Sequence, residues 1–161
     1  MTTSFRPMTP EQEAEYLPQA VEGFVLDIVR AGSLDPVRAR AKAEASYTGL
    51  HADGEIYVAA CDDDGVWVGV LGYALQGFDD DPATEPTLFV YDLEVFDPYR
   101  RRGHARDLLA HAESLARAAG AASVRLTVWE GNDGAHDLYR RVGFRDESHQ
   151  MRLPLTDGSS R

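Results

Sequence analysis

Between Val95 and Ala105 the chain reads Val-Phe-Asp-Pro-Tyr-Arg-Arg-Arg-Gly-His-Ala, with an aromatic, β-branched run before it and an amphipathic run after it. A Gly-bearing turn that opens directly into a helix gathers unpaired NH groups from its own backbone and from the helix's first turn. The helix dipole adds partial positive charge at the same spot. Such a place holds an anion, and a pyrophosphate fits it well. Arg100, Arg101 and Arg102 add cations able to make charge-assisted bonds to phosphate oxygens. The main chain of Arg101 to Arg106 is the expected contact surface, with Gly103 where a side chain would block close approach. His104 would offer its backbone NH rather than its ring. Just upstream, Asp92 and Glu94 alternate along the run, so both point to one face while Tyr91, Leu93 and Val95 point to the other. A partly buried carboxylate in that position could work as a general base.

The elements that must position these groups follow from periodicity. Thr87 to Phe96 reads as a strand. Ala105, Leu108, Leu109, Ala112, Leu115, Ala116 and Ala119 recur at helical spacing until Gly120 stops the helix. A strand over Ser123 to Trp129 then leads to Asn132 and to a helix bearing Ala135, Leu138, Tyr139 and Val142. Towards the N-terminus, Phe5 to Met8 predicts a short strand, and Thr9 and Pro10 predict a helix start. That helix has its core face on Leu17, Ala20, Val21, Phe24 and Ile28, and Pro18 should kink or divide it. After a break at Gly32-Ser33, Ser33 or Asp35 caps an Ala-rich helix to about Tyr47. Ile56 to Cys61 and Val66 to Leu75 read as a hairpin around Asp62-Asp63-Asp64-Gly65. Gln76 to Pro86 reads as a loop, its Asp79-Asp80-Asp81 run a solvated turn rather than a metal or cation site. The predicted order is β-αα-ββ-β-α-β-α-β, an α/β fold with a mixed, mostly antiparallel sheet flanked by helices. One domain spans 1–155, and 156–161 is a flexible polar tail.

The spacing Arg100-x-x-Gly103-x-Ala105, the following strand, Asn132, Tyr139 and the pair Gly143-Phe144 together resemble the second half of the GNAT superfamily of N-acyltransferases. The resemblance covers about residues 87 to 155. It implies acetyl-CoA as co-substrate and direct attack by an amine in a ternary complex. It further implies that the strand ending at Val95 splays from its neighbour, so that the pantetheine arm bonds to backbone near Leu93 and Val95. A backbone NH at about Val95 would meet the acyl oxygen. Tyr139 would be the general acid for the departing thiolate; the alternative is an aromatic on the helix's core face. Asn132 would contact the cofactor arm or cap the helix. Glu94 is the preferred general base, with Asp92 or a water relay as alternatives. A non-catalytic acyl-CoA sensor or assembly subunit is the competing function.

Composition sets outer limits. A formal charge of -11 opposes a nucleic-acid partner, which needs clustered cations, and favours a cationic acceptor such as a small-molecule or peptide amine. A single cysteine, Cys61, excludes an internal disulfide and a Cys-rich zinc site and reads as a buried strand residue. No metal set is evident: Asp107 and His111, one helical turn apart, are too few ligands. With no apolar span and no leader, neither membrane nor secretion is expected, and the natural assignment is cytoplasmic. A homodimer is compatible with the chain, but no pattern requires it.

Overall fold

Capping chemistry fixes where the helices begin. The computed structural model describes residues 3–48, 51, 54–79, 81 and 83–155. After the strand β1 (Ser4–Pro7), the helix α1 (Pro10–Arg30) starts at Thr9, whose side chain accepts from the Gln12 NH while Gln12 returns a bond to the Thr9 NH. The helix α2 (Pro36–Tyr47) starts at Asp35, whose carboxylate takes the NH groups of Val37 and Arg38. Pro18, expected to kink or divide the first helix, sits within one continuous α1. Its exposed position lets water take up the Ala14 carbonyl that loses its partner. The buried stripe of α1 is Tyr16, Ala20, Val25 and Ile28, flanked by partly buried Val21 and Phe24, so it begins one residue earlier than Leu17.

The strands β2 (Ile56–Cys61), β3 (Trp67–Gln76) and β4 (Thr87–Val95) form an antiparallel meander with β1, and β5 (Ser123–Leu126) joins β4 in parallel, giving the order β1-β2-β3-β4-β5. The helix α3 (His104–Ala119) makes the crossover between β4 and β5 and covers one face. On that face Leu108, Ala112 and Ala116 pack with Val58, Ala60, Leu71, Leu88 and Val90. On the other face Tyr16 and Ala20 of α1 meet Tyr57, Ala59 and Val70. Because both faces are covered, β2 is an almost continuous apolar run, and Cys61 at its end is buried and free, as its strand position implied.

Two departures from regular strands shape the site. In the β3–β4 register Gly72 opposes Asp92 and Tyr73 opposes Val90, so Tyr91 is the extra residue of a bulge. The bulge breaks the expected alternation. Leu93 and Val95 rejoin the core face of Val90, whereas Tyr91 is exposed and its hydroxyl accepts from Gln76 at 2.5 Å. Second, the strand expected to reach Trp129 ends at Leu126, and β4 and β5 pair only from Thr87↔Ser123 to Val90↔Leu126. Trp129 instead packs on Phe24 of α1 at 5.8 Å, a tertiary contact that outweighs local β propensity.

The helix α4 (Asp133–Val142) follows and ends at Gly143 with φ +117°. The last strand of the predicted order does not form: residues 143–155 carry no strand. Met151, Leu153 and Leu155 alternate as a strand would but lie exposed, and Arg152 instead donates to the Gly32 and Ser33 carbonyls. The acidic loop is a turn among its described members, with Asp79 and Asp81 accepting from Thr84 and from the Ala83 NH. Asp80, and the tail 156–161 expected to be flexible, lie outside the described residues.

Candidate active site

After β4, a single 3-10 turn at Asp97–Tyr99 brings the chain round to Arg100, and the backbone then alternates hand: Arg101 has φ +63° and Gly103 φ +97°. Gly103 is the N-cap of α3, with no side chain to cap it, and its carbonyl accepts from Arg106 and Asp107. The NH groups of Arg101 to Ala105 find no acceptor among the described residues, so a nest of donors faces outward at the positive end of α3. A Cβ on Gly103 would meet no protein atom within 4 Å, so its φ, rather than crowding by the protein, demands glycine here. These orphan donors and the open space before them suit a pyrophosphate.

The arginines divide their work. Arg100 turns back, its Nε donating to the Val95 carbonyl at 2.9 Å and its guanidinium pairing with Asp97 at 2.7 Å. Arg102 lies over the Tyr99 ring, 5.7 Å from its centroid, while Arg101 and Arg106 extend into solvent. His104 is buried with its ring turned inward, which leaves its NH to the turn. Ala105 is half-buried in the first turn of α3.

Among the described residues the pairing of β4 with β5 ends at Val90↔Leu126, and beyond it the two chains diverge around a cavity of about 790 Å³. The side chains of Leu93 and Val95 pack towards α3, so only their backbone is available to the opening. Its walls include Phe24, Asp27, Tyr47, Asp92, Glu94, Trp129, Asn132 and Tyr139. Asn132 caps α4, its Oδ1 accepting from the Ala135 NH at 3.4 Å, so the capping role is realised beside the cavity. Of the two tryptophans, Trp129 is therefore the one at the cavity, whereas Trp67 stacks edge-on against Phe96 in the core.

Electrostatically this wall of the cavity is a set of carboxyl groups with costly charge. Burial raises the pKa of Asp92, whose carboxyl group lies deep although the residue retains some exposure, and the Tyr47 hydroxyl donates to it at 3.0 Å. Burial also raises Glu94, and the charge of Asp92 adds to the effect. Asp27 is raised by burial against the opposing pull of Arg30. The hydroxyl of Tyr16 is sealed beside Asp92 and Glu94 without a hydrogen bond of ordinary geometry, and burial first, then those two charges, hold it protonated. Tyr139 is pushed up to about 12 by burial and by the charges of Asp92 and Asp27. It is thus a proton donor throughout the neutral range, and its hydroxyl engages no described side chain.

Sequence reasoning missed Tyr16, Tyr47 and Asp27. Tyr16 stands four residues before Ala20 on the apolar stripe of α1, which was a signal available in the pattern. Tyr47 closes α2 and gave none.

Comparisons with known proteins agree with this layout. Over 161 residues the chain is 27% identical to the uncharacterised N-acetyltransferase YycN of Bacillus subtilis, covering 96% of this chain and 100% of that one. It is 23% identical to the uncharacterised N-acetyltransferase YdgE of the same organism over 160 residues, covering 96% and 99%. The crystal structure of the putative acetyltransferase YycN superposes with a TM-score of 0.84 at 25% identity, covering 97% and 100%. The fold is also that of AAC(6')-Iy, solved with the bisubstrate analog CoA-S-monomethyl-acetylneamine, at a TM-score of 0.64 and 17% identity over 97% and 99%. The family model for the GNAT acetyltransferases matches residues 25–144, and with the donor nest, the splayed strands and the acidic cavity already in place, the chain belongs to the GNAT acetyltransferase family.

Proposed function

We propose that this protein is an N-acetyltransferase that moves an acetyl group from acetyl-CoA to an amine, with both substrates held in one complex. The observation that carries the proposal is the convergence on one cavity of Glu94, Asp92 and Tyr139 where the β4–β5 ladder ends. Acetyl-CoA supplies an acetyl group activated as a thioester. The backbone NH groups of Arg101 to Arg106 hold its pyrophosphate, assisted by Arg101 and Arg102, and backbone near Leu93 and Val95 holds its arm. Arg100, already tied to Val95 and Asp97, acts by fixing the end of β4.

The acceptor arrives as an ammonium ion, drawn by the acidic wall. Glu94 removes a proton from it, directly or through water. Burial keeps the Glu94 carboxylate basic enough to do so. An NH at about Val95 stabilises charge on the acyl oxygen. The neutral amine then attacks the thioester carbon; as the C–N bond forms the C–S bond breaks, Tyr139 gives its proton to the departing sulfur, and the second proton shed by the nitrogen passes to water, which reprotonates Tyr139. No metal takes part in this scheme. The protein works in the cytoplasm; among the described residues no helix is long and apolar enough to cross a membrane.

Thiol release from acetyl-CoA, followed across a panel of small primary amines, amino-terminal peptides and lysine peptides, tests the proposal. Amine-dependent release with a matching N-acetylated product supports it. Tight binding of acetyl-CoA with no release on any amine would leave the sensor function.

A further inference from the structure

The start of the chain and α3 meet through side chains that play no part in the scheme above. Thr3, immediately before β1, and Phe5 on β1 stand two apart and so share a face. His104, Asp107 and His111 stand at helical spacing on the first half of α3. The two faces meet: the Phe5 and His111 rings stack at 4.0 Å with planes 7° apart, and Thr3 lies between His104 and Asp107. Thr3 Oγ1 is 2.9 Å from His104 Nδ1 and donates to Asp107 Oδ2 at 2.5 Å. A hydroxyl has one hydrogen, and here the carboxylate takes it. The His104 contact must therefore run the other way, so Nδ1 carries a proton and Thr3 accepts it. The chain of donation is His104 Nδ1–H to Thr3 Oγ1–H to the Asp107 carboxylate.

Both helix residues adjoin or belong to the donor nest. His104 directly follows Gly103, and the Asp107 NH is bound to the Gly103 carbonyl at 3.2 Å. Both Thr3 and His104 are buried, at 8% and 2% exposure, so water does not replace the bonds. We infer that Thr3 is a positioning residue for the coenzyme: through His104 and Asp107 it fixes the first turn of α3 and so keeps the NH groups of Arg101 to Ala105 aimed at one point. Removing its hydroxyl leaves His104 Nδ1–H without an acceptor in a closed space, which loosens the turn from beneath.

This rests on the coenzyme reading of that turn, and the test separates the two. Coenzyme A binding is measured calorimetrically on wild type, Thr3→Val and Thr3→Ser, with amide hydrogen exchange on all three. Thr3→Val should bind about tenfold more weakly, the effect of one lost buried hydrogen bond. Thr3→Ser should keep the wild-type affinity. Exchange at Arg106 and Asp107, whose NH groups bond to the Gly103 carbonyl, should quicken in Thr3→Val while exchange at Asp92 to Val95 stays unchanged. Equal affinity of wild type and Thr3→Val, or a serine variant as weak as the valine one, overturns the inference. If wild type itself binds no coenzyme A, the coenzyme reading falls. The exchange comparison then still decides whether Thr3 holds the turn: equal exchange in wild type and Thr3→Val overturns that as well.

Discussion

The two halves of the site are built from different materials. The half proposed for the coenzyme, from Val95 to Arg106, is main chain: a positive φ at Arg101 and Gly103, a helix start, and NH groups that find no acceptor among the described residues. The acceptor half is side chain, collected from α1 (Tyr16, Asp27), α2 (Tyr47), β4 (Asp92, Glu94) and α4 (Tyr139). A main-chain site needs contiguous residues, because successive NH groups must share a turn. A side-chain site has no such need, since any element that reaches the cavity can contribute. The first should fail through conformation and the second through chemistry, and variants can separate the two.

The largest effect should come from the acceptor half. Tyr139→Phe keeps the ring and removes the proton donor, so kcat should fall about a hundredfold while the acetyl-CoA Kd stays unchanged. Unchanged turnover would assign Tyr139 to packing and weaken the contrast. Next, Gly103→Val forces a β-branched residue to φ +97° in a space otherwise open. A cost of about 2 kcal/mol should appear as about thirtyfold weaker acetyl-CoA binding by calorimetry, with the acceptor KM retained.

Asp92→Asn tests how charge is shared within the acceptor half. Asp92 raises the pKa of Glu94, so the acid limb of kcat/KM, which lies above the usual glutamate value of about 4.3, should move to lower pH in the variant. The basic limb should be free of Tyr139 below about pH 10, since that hydroxyl titrates near 12. Stability has a definite sign. The folded pKa of Asp92 is raised, mainly by burial, so the native state loses stability as pH rises through it. Asp92→Asn should therefore melt at a higher temperature than wild type at pH 7. That advantage should vanish as pH falls to about 4. Scanning calorimetry at both pH values checks it.

The smallest effect should come from Gly72→Ala. Its Cβ would lie 2.7 Å from the Tyr57 ring and 3.1 Å from the Asp92 Cβ, so one of them must shift. The acceptor KM should rise about threefold with coenzyme affinity unchanged, a displacement of the kind that costs orientation rather than binding. A loss of coenzyme affinity instead would mean that the two halves are mechanically coupled.

The chain by itself determined the elements whose causes are local. Thr9 and Asp35 cap helices, the Asp62 to Gly65 turn joins two strands, and Arg100-x-x-Gly103-x-Ala105 marks a strand-to-helix turn, because each depends on residues a few positions apart. The split of Asp92 and Glu94 from Leu93 and Val95 follows from alternation, but only the tertiary structure decided the bulge at Tyr91, which brings Leu93 and Val95 onto the face of Val90 and sets Tyr91 apart from them. It also ended β5 at Leu126 by drawing Trp129 to Phe24, and left residues 143–155 without the strand their alternation suggests. The Tyr47–Asp92 bond spans 45 positions and the Thr3–His104 bond 101. Contacts at such separations form only where the packed sheet and helices bring them together, and periodicity within a short window carries no record of them.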